Sequence, residues 1–207
     1  LRSFLSSAVQ LLFDHWELSF QSLTSMLMPL LRRLLVLLAA APSFAAALEP
    51  PSATPGWFRW LLPRLRQMDW TRRAKYRTLQ ATVGVLPEGA RALLAEWPDL
   101  LPELFASLHI PNYANLASEL LMDVMRSLEH QLQGGEAADA QANGEAAGGQ
   151  AGGAGAVDVR EVWMRLVIMP LLASLNGVSA TQTESILHAC LPAVLTAQPA
   201  ALGWLLE

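Results

Sequence analysis

Catalysis requires a nucleophile with a base and an orienting group, or a metal with its ligands, and this chain supplies few candidates. His15, His109, His130 and His188 are scattered singly. His188 and Cys190 stand two residues apart, a spacing that points two helical side chains away from each other. Cys190, between Ala189 and Leu191, therefore reads as a small buried side chain rather than a nucleophile. Glu119 and Asp123, at i and i+4, could share a divalent cation, but solvated helix acids are the simpler expectation. No glycine-rich phosphate loop follows a strand, and no cofactor or metal set is evident. The chain is read as a non-enzyme.

The strongest chemical signal is binding chemistry. From Trp57 to Arg77 the sequence WFRWLLPRLRQMDWTRRAKYR gathers Arg59, Arg64, Arg66, Arg72, Arg73, Lys75 and Arg77 against one acid, Asp69. Guanidinium groups beside Trp57, Trp60, Trp70 and Tyr76 suit phosphate or an acidic partner. On a helix, at about 100° per residue, Tyr76, Leu79 and Val83 share an apolar face while Arg73, Arg77 and Gln80 share another. Arg73 and Arg77 repel at i, i+4, a cost that an outside anion would relieve. They could equally pair with acids of neighbouring helices, such as Glu96, Asp99 or Glu103. Trp70, Trp97 and Trp163 are expected to wedge between helices, with base stacking the less favoured use.

The elements that must position these groups are helical. With 207 residues and 53% hydrophobic composition the chain can bury a substantial core, and its apolar residues are mostly Leu and Ala, which favour helix over sheet. The net charge of -4 leaves nucleic-acid contact to a local field. A single cysteine rules out an internal disulfide and fits a reducing compartment. Arg32-Arg33 and the run after them imitate a secretory signal but lie deep in the chain. The charge-free run from Leu34 to Leu48, about 15 residues with Pro42 inside, falls short of the roughly 20 that a bilayer needs and reads as a buried helix. With Leu1 at its start and a helix pattern at Glu207, the chain is expected to be a piece of a longer protein.

Turn chemistry divides the helices. A first block, about Ser3 to Ala41, should hold two helices with Pro29 as kink or boundary. After the loop EPPSATPG come helices at about Trp57 to Gln67, containing Pro63, and about Trp70 to Val83, with Asp69 as N-cap. Pro87 and Pro98 each open a further helix, and Pro111 precedes a longer one to about Gln133. Residues 134–156 carry eight of the thirteen glycines and no large apolar side chain, so they are expected to be a disordered insert. Structure should resume at Val157, Ser179 with Gln182 should form a capping box, and Pro199 should start the last helix. The organisation read is a helical-repeat segment at 1–133, the insert, and a continuation at 157–207. The expected fold is all-α, about 8 to 10 helices in a HEAT or armadillo-like α-solenoid, with a compact helical bundle as the alternative.

Several blocks, in order, resemble the thyroid adenoma-associated protein family. His15-Trp16-Glu17 looks like its His-Trp-Glu helix start, and Trp70 with Lys75-Tyr76 and Leu79 resembles its Trp-x-x-x-x-Lys-Tyr block. The stretch Leu100 to Leu121 comes next, ending in Ala117-Ser118-Glu119-Leu120. Trp163 with Pro170-Leu171-Leu172 is similar to its Trp-x-x-Pro-Leu-Leu block, with extra residues in between, and Leu191-Pro192 before Pro199 resembles the family's next segment. The segments around Leu48 to Gly56 and 134–156 depart from the pattern. The resemblance implies a cytoplasmic HEAT-like scaffold without an active site, the regulatory subunit of an FtsJ-type methyltransferase that 2′-O-methylates nucleotide 32 in the tRNA anticodon loop. The S-adenosylmethionine chemistry would belong to that partner. Arg73 and Arg77, then Arg72 and Lys75, would be the candidates to hold tRNA backbone or another anionic partner, with no membrane or DNA contact expected.

Overall fold

The computed structural model describes residues 2–18, 21–40, 55–86, 88–143 and 158–206, and among them every regular element is a helix. Helix α1 is Arg2–Leu18, α2 Gln21–Ala40, α3 Gly56–Gln67, α4 Arg73–Val83, α5 Gly89–Glu96, α6 Leu100–Ser107 and α7 Ala114–Asn143. Helix α8 starts at Val159–Trp163, widens to a π-helix at Met164–Ile168 and returns to α at Met169–Ser174. Helices α9 (Ala180–Ala197) and α10 (Ala201–Leu206) complete the chain.

The short helix α4 lies at the centre. It packs against α1, α2, α3, α5 and α7, and Ala74, Lys75, Tyr76 and every residue from Thr78 to Val83 are buried. Its position explains its size: a helix enclosed on most sides needs no long polar face, and Ala74 and Ala81 let neighbours approach closely. Helix α7 backs it with Ala117, Leu120, Leu121, Val124, Met125 and Leu128, spaced three and four apart, and also touches α5, α6 and α9. The last part of α8 packs on α6.

Several local expectations shift for identifiable reasons. The first block does divide into two helices, but the break falls between Leu18 and Gln21; Pro29 sits inside α2 on an exposed face, where its ring meets solvent rather than a neighbour. Asp69 does not cap a helix. Its Oδ1 accepts the Thr71 N–H at 2.7 Å and closes a turn, so α4 begins only at Arg73. Helix α7 runs to Asn143 instead of ending near Gln133, carried by the helix-forming Glu, Ala and Gln of that stretch. The rest of the glycine-rich insert, with Pro87, Pro42 and most of the loop before Gly56, lies outside the described residues. The capping box is present: Ser179 Oγ accepts the Gln182 N–H at 3.3 Å and Gln182 Oε1 accepts the Ser179 N–H at 3.0 Å. The π-helix ends at Ile168, two residues before Pro170, which has no N–H to give; the Met169 N–H reaches back five residues to the Met164 carbonyl. No described helix is long and apolar enough to cross a membrane.

Candidate functional site

The basic block folds into α3, the turn at 68–72 and α4, and most of its cations turn toward the protein. Arg59 lies 3.9 Å from the Glu96 carboxylate, and Arg66 donates to the Glu96 carbonyl. Arg64 stacks over the Trp60 ring at 4.2 Å and Arg66 over Trp97 at 5.7 Å. None of the three acids expected to pair with Arg73 and Arg77 does so among the described residues: Glu96 lies against Arg59, Glu103 against Lys75, and no ion pair to Asp99 is found.

Lys75 is the most altered of the four candidate residues. Its side chain is 1% exposed, and its Nζ donates to the Met68 carbonyl at 2.8 Å. The ammonium sits 3.9 Å from the Trp70 ring centre and 5.1 Å from that of Trp97, with Glu103 Oε2 at 3.8 Å. Burial pushes it from 10.5 down to about 8, while the Glu103 and Asp69 carboxylates pull the other way. Glu103 also accepts both indoles, Trp70 Nε1 at 2.9 Å and Trp97 Nε1 at 3.2 Å. An aromatic cage closed by one carboxylate thus holds the chain's own lysine, and an external phosphate cannot reach it. Lys75 is placed as a packing residue, in place of its expected role as a contact for tRNA backbone or another anionic partner.

Tyr76 completes the clasp. Its hydroxyl donates to the Trp70 carbonyl at 2.7 Å, and its ring stacks on Tyr113 with centroids 6.0 Å apart. Burial pushes that hydroxyl above its ordinary range. Asp69 is held below the usual carboxylate range by the Thr71 backbone N–H that it accepts.

The remaining candidates divide. Arg72 faces α1, with Asp14 at 3.7 Å and Glu17 at 3.6 Å. Glu17 Oε1 also accepts the Ala74 N–H at 3.1 Å, so a carboxylate from α1 caps the positive end of α4. Arg77 donates to Glu119 at 2.7 Å and to Gln80 Oε1 at 2.9 Å, and Gln80 Nε2 donates to Asp123 Oδ2 at 3.2 Å. Glu119 and Asp123 are therefore occupied by α4, and burial raises the Asp123 carboxyl. Arg73 is exposed and makes no ion pair among the described residues.

No family model matches the chain, and neither does any curated protein or solved structure.

Sequence reasoning did not foresee Asp14 and Glu17 as partners of the block. The signal was available in part, because Glu17 belongs to the His15-Trp16-Glu17 motif and Trp16 is buried beside it. Elsewhere, Cys190 is buried in α9 and its thiol is pushed up to about 12, so it stays protonated near neutral pH. No group of three or more metal-ligating side chains occurs among the described residues.

Proposed function

We propose that this chain is part of a non-catalytic helical-repeat scaffold of the HEAT or armadillo kind, acting as a regulatory subunit of an FtsJ-type tRNA ribose methyltransferase in the cytoplasm. One observation supports the reading most: residues that carry the family resemblance join helix to helix. Trp16 is buried and Glu17 caps α4; Trp70, Lys75 and Tyr76 form the clasp; Leu79, Ala117, Leu120, Trp163 and Leu171 are buried. Such joints support a scaffold reading, in which the methyl-transfer chemistry would lie with the partner. The succession of α1 and α2 against α4, α4 against α7 and α7 against α9 is compatible with an array.

Pull-down of the full-length protein should recover an FtsJ-type methyltransferase together with tRNA; recovery of neither overturns the proposal. A protein-only adaptor is the second reading, favoured by the internal pairing of Arg59, Arg72 and Arg77 with carboxylates. The two separate on salt. Contact with several phosphates makes tRNA affinity fall steeply with ionic strength, whereas a protein-only adaptor has no such tRNA affinity to lose.

A further inference from the structure

Helices α1 and α2 each carry a second apolar face, opposite the one they bury. On α1, Phe4, Leu11 and Leu18 recur at heptad spacing and are 71%, 59% and 80% exposed. At about 100° per residue they lie across the helix from Val9, Phe13 and Trp16, which are buried. On α2, Met26, Leu30 and Leu37 repeat the arrangement against buried Leu31, Leu35 and Leu38. A helix that is apolar on both sides is normally covered on both.

Charge on these stripes selects the cover. Exposed Arg33 lies between Leu30 and Leu37, and exposed His15 between Leu11 and Leu18. Neither stripe contains a carboxylate, since Asp14 and Glu17 of α1 turn to Arg72, and Arg33 makes no ion pair among the described residues. A second copy fits poorly, because two α2 helices meeting antiparallel at mid-stripe would bring Arg33 against Arg33. An anionic bilayer is attracted by clusters of about four to eight cations, more than these stripes offer.

We propose that the outer face of α1 and α2 docks an amphipathic helix of a partner protein, with an apolar seam against Leu11, Leu30 and Leu37 and an acidic residue against Arg33. The inference stands on these two faces alone and holds whether or not a methyltransferase is the partner.

Two labelled synthetic helices test it by fluorescence anisotropy with the full chain: a leucine seam flanked by glutamates, and its twin flanked by lysines. The glutamate helix should bind at least about ten-fold more tightly. Leu30→Glu with Leu37→Glu should remove that binding while the circular dichroism spectrum stays unchanged, and Leu11→Glu provides an independent disruption. Arg33→Glu should reverse the preference between the helices. Equal binding of the two, or binding indifferent to these substitutions, overturns the proposal. It is equally overturned by a dimer in sedimentation velocity that Leu30→Glu dissociates, which assigns the face to a second copy. Flotation with phosphatidylserine vesicles that Leu30→Glu abolishes assigns it to lipid and overturns it too.

Discussion

The ammonium of Lys75 sits 3.9 Å from the centre of the Trp70 ring, and the same lysine reaches Met68 and Glu103, so one side chain ties the turn after α3 and helix α6 to α4. A cation over an indole face in a water-poor site is held more strongly than at a surface. The consequences for stability depend on how the cage is broken.

Lys75→Ala should destabilise the fold by about 2–4 kcal/mol in urea unfolding, because it leaves a cavity between two indoles and strips Glu103 of its cation. Lys75→Met should cost about half as much, since it keeps the volume and loses only the charge. A methionine variant as damaging as the alanine one would mean that the ammonium, not the packing, dominates.

The same lysine gives a pH signature. Its folded pKa of about 8 lies below the ordinary 10.5, so the folded state binds fewer protons than the unfolded chain between those values. The Lys75 contribution to stability therefore rises with pH, by up to about 2 kcal/mol from pH 8 to 10, and the indole faces, which favour the charged form, trim this. Tyr76 and Cys190 have the opposite sign: the raised hydroxyl pKa takes stability away above about pH 10, and the thiol pushed up to about 12 takes it away above about pH 9 in wild type and variant alike. Urea titrations of wild type and Lys75→Met across pH 8 to 10 should differ in slope, with the rise lost in the variant.

Removing the inter-helix cap should be measurable. Glu17→Ala deprives the Ala74 N–H of its acceptor and should cost about 1 kcal/mol in urea unfolding. Arg72→Ala, which removes only the partly solvated ion pairs to Asp14 and Glu17, should cost less than about 0.5 kcal/mol. Equal effects from the two would assign the stabilisation to the ion pair instead of the cap.

Gly89 opens α5 with φ +40°, and a Cβ there would run into Ser127 Oγ and the Gln131 amide. Those two side chains receive the Ala90 N–H at 3.0 Å and the Arg91 N–H at 3.3 Å. Gly89→Ala should therefore lower stability by about 1–3 kcal/mol, through strain and loss of these caps. Thermal unfolding checks it, with a change under about 1 °C contradicting the close approach.

For the proposed tRNA interface, Arg73→Glu is the clean charge reversal. It should weaken tRNA binding and lower the salt slope by about one unit for each phosphate no longer neutralised, with unchanged stability. Arg77→Glu sets a second carboxylate against Glu119, so it should lower stability as well. Filter binding across a salt series separates the two, and an Arg73→Glu slope equal to wild type removes Arg73 from the interface.

The sequence determined the helical class, most helix positions after Gly56, the Ser179 capping box and the burial of Tyr76, Leu79, Val83 and Cys190. These follow from composition, 3.6-residue periodicity and local turn chemistry, which operate within a few residues. It also marked α4 as having two faces, but not which cations had partners. That was decided by pairings between residues 33 to 58 positions apart: Trp70 with Glu103, Arg77 with Glu119, Ala74 with Glu17 and Arg72 with Asp14. Charge spacing along a helix fixes direction, not what stands opposite. Lys75 sits one residue before Tyr76, where its charge argues for an outward position, yet an enclosed helix has little outward side, and its long stem lets the ammonium reach Met68, Glu103 and the two indoles. Only the packing of helix against helix gave most of the seven cations partners within the protein and left Arg73 exposed with no ion pair among the described residues.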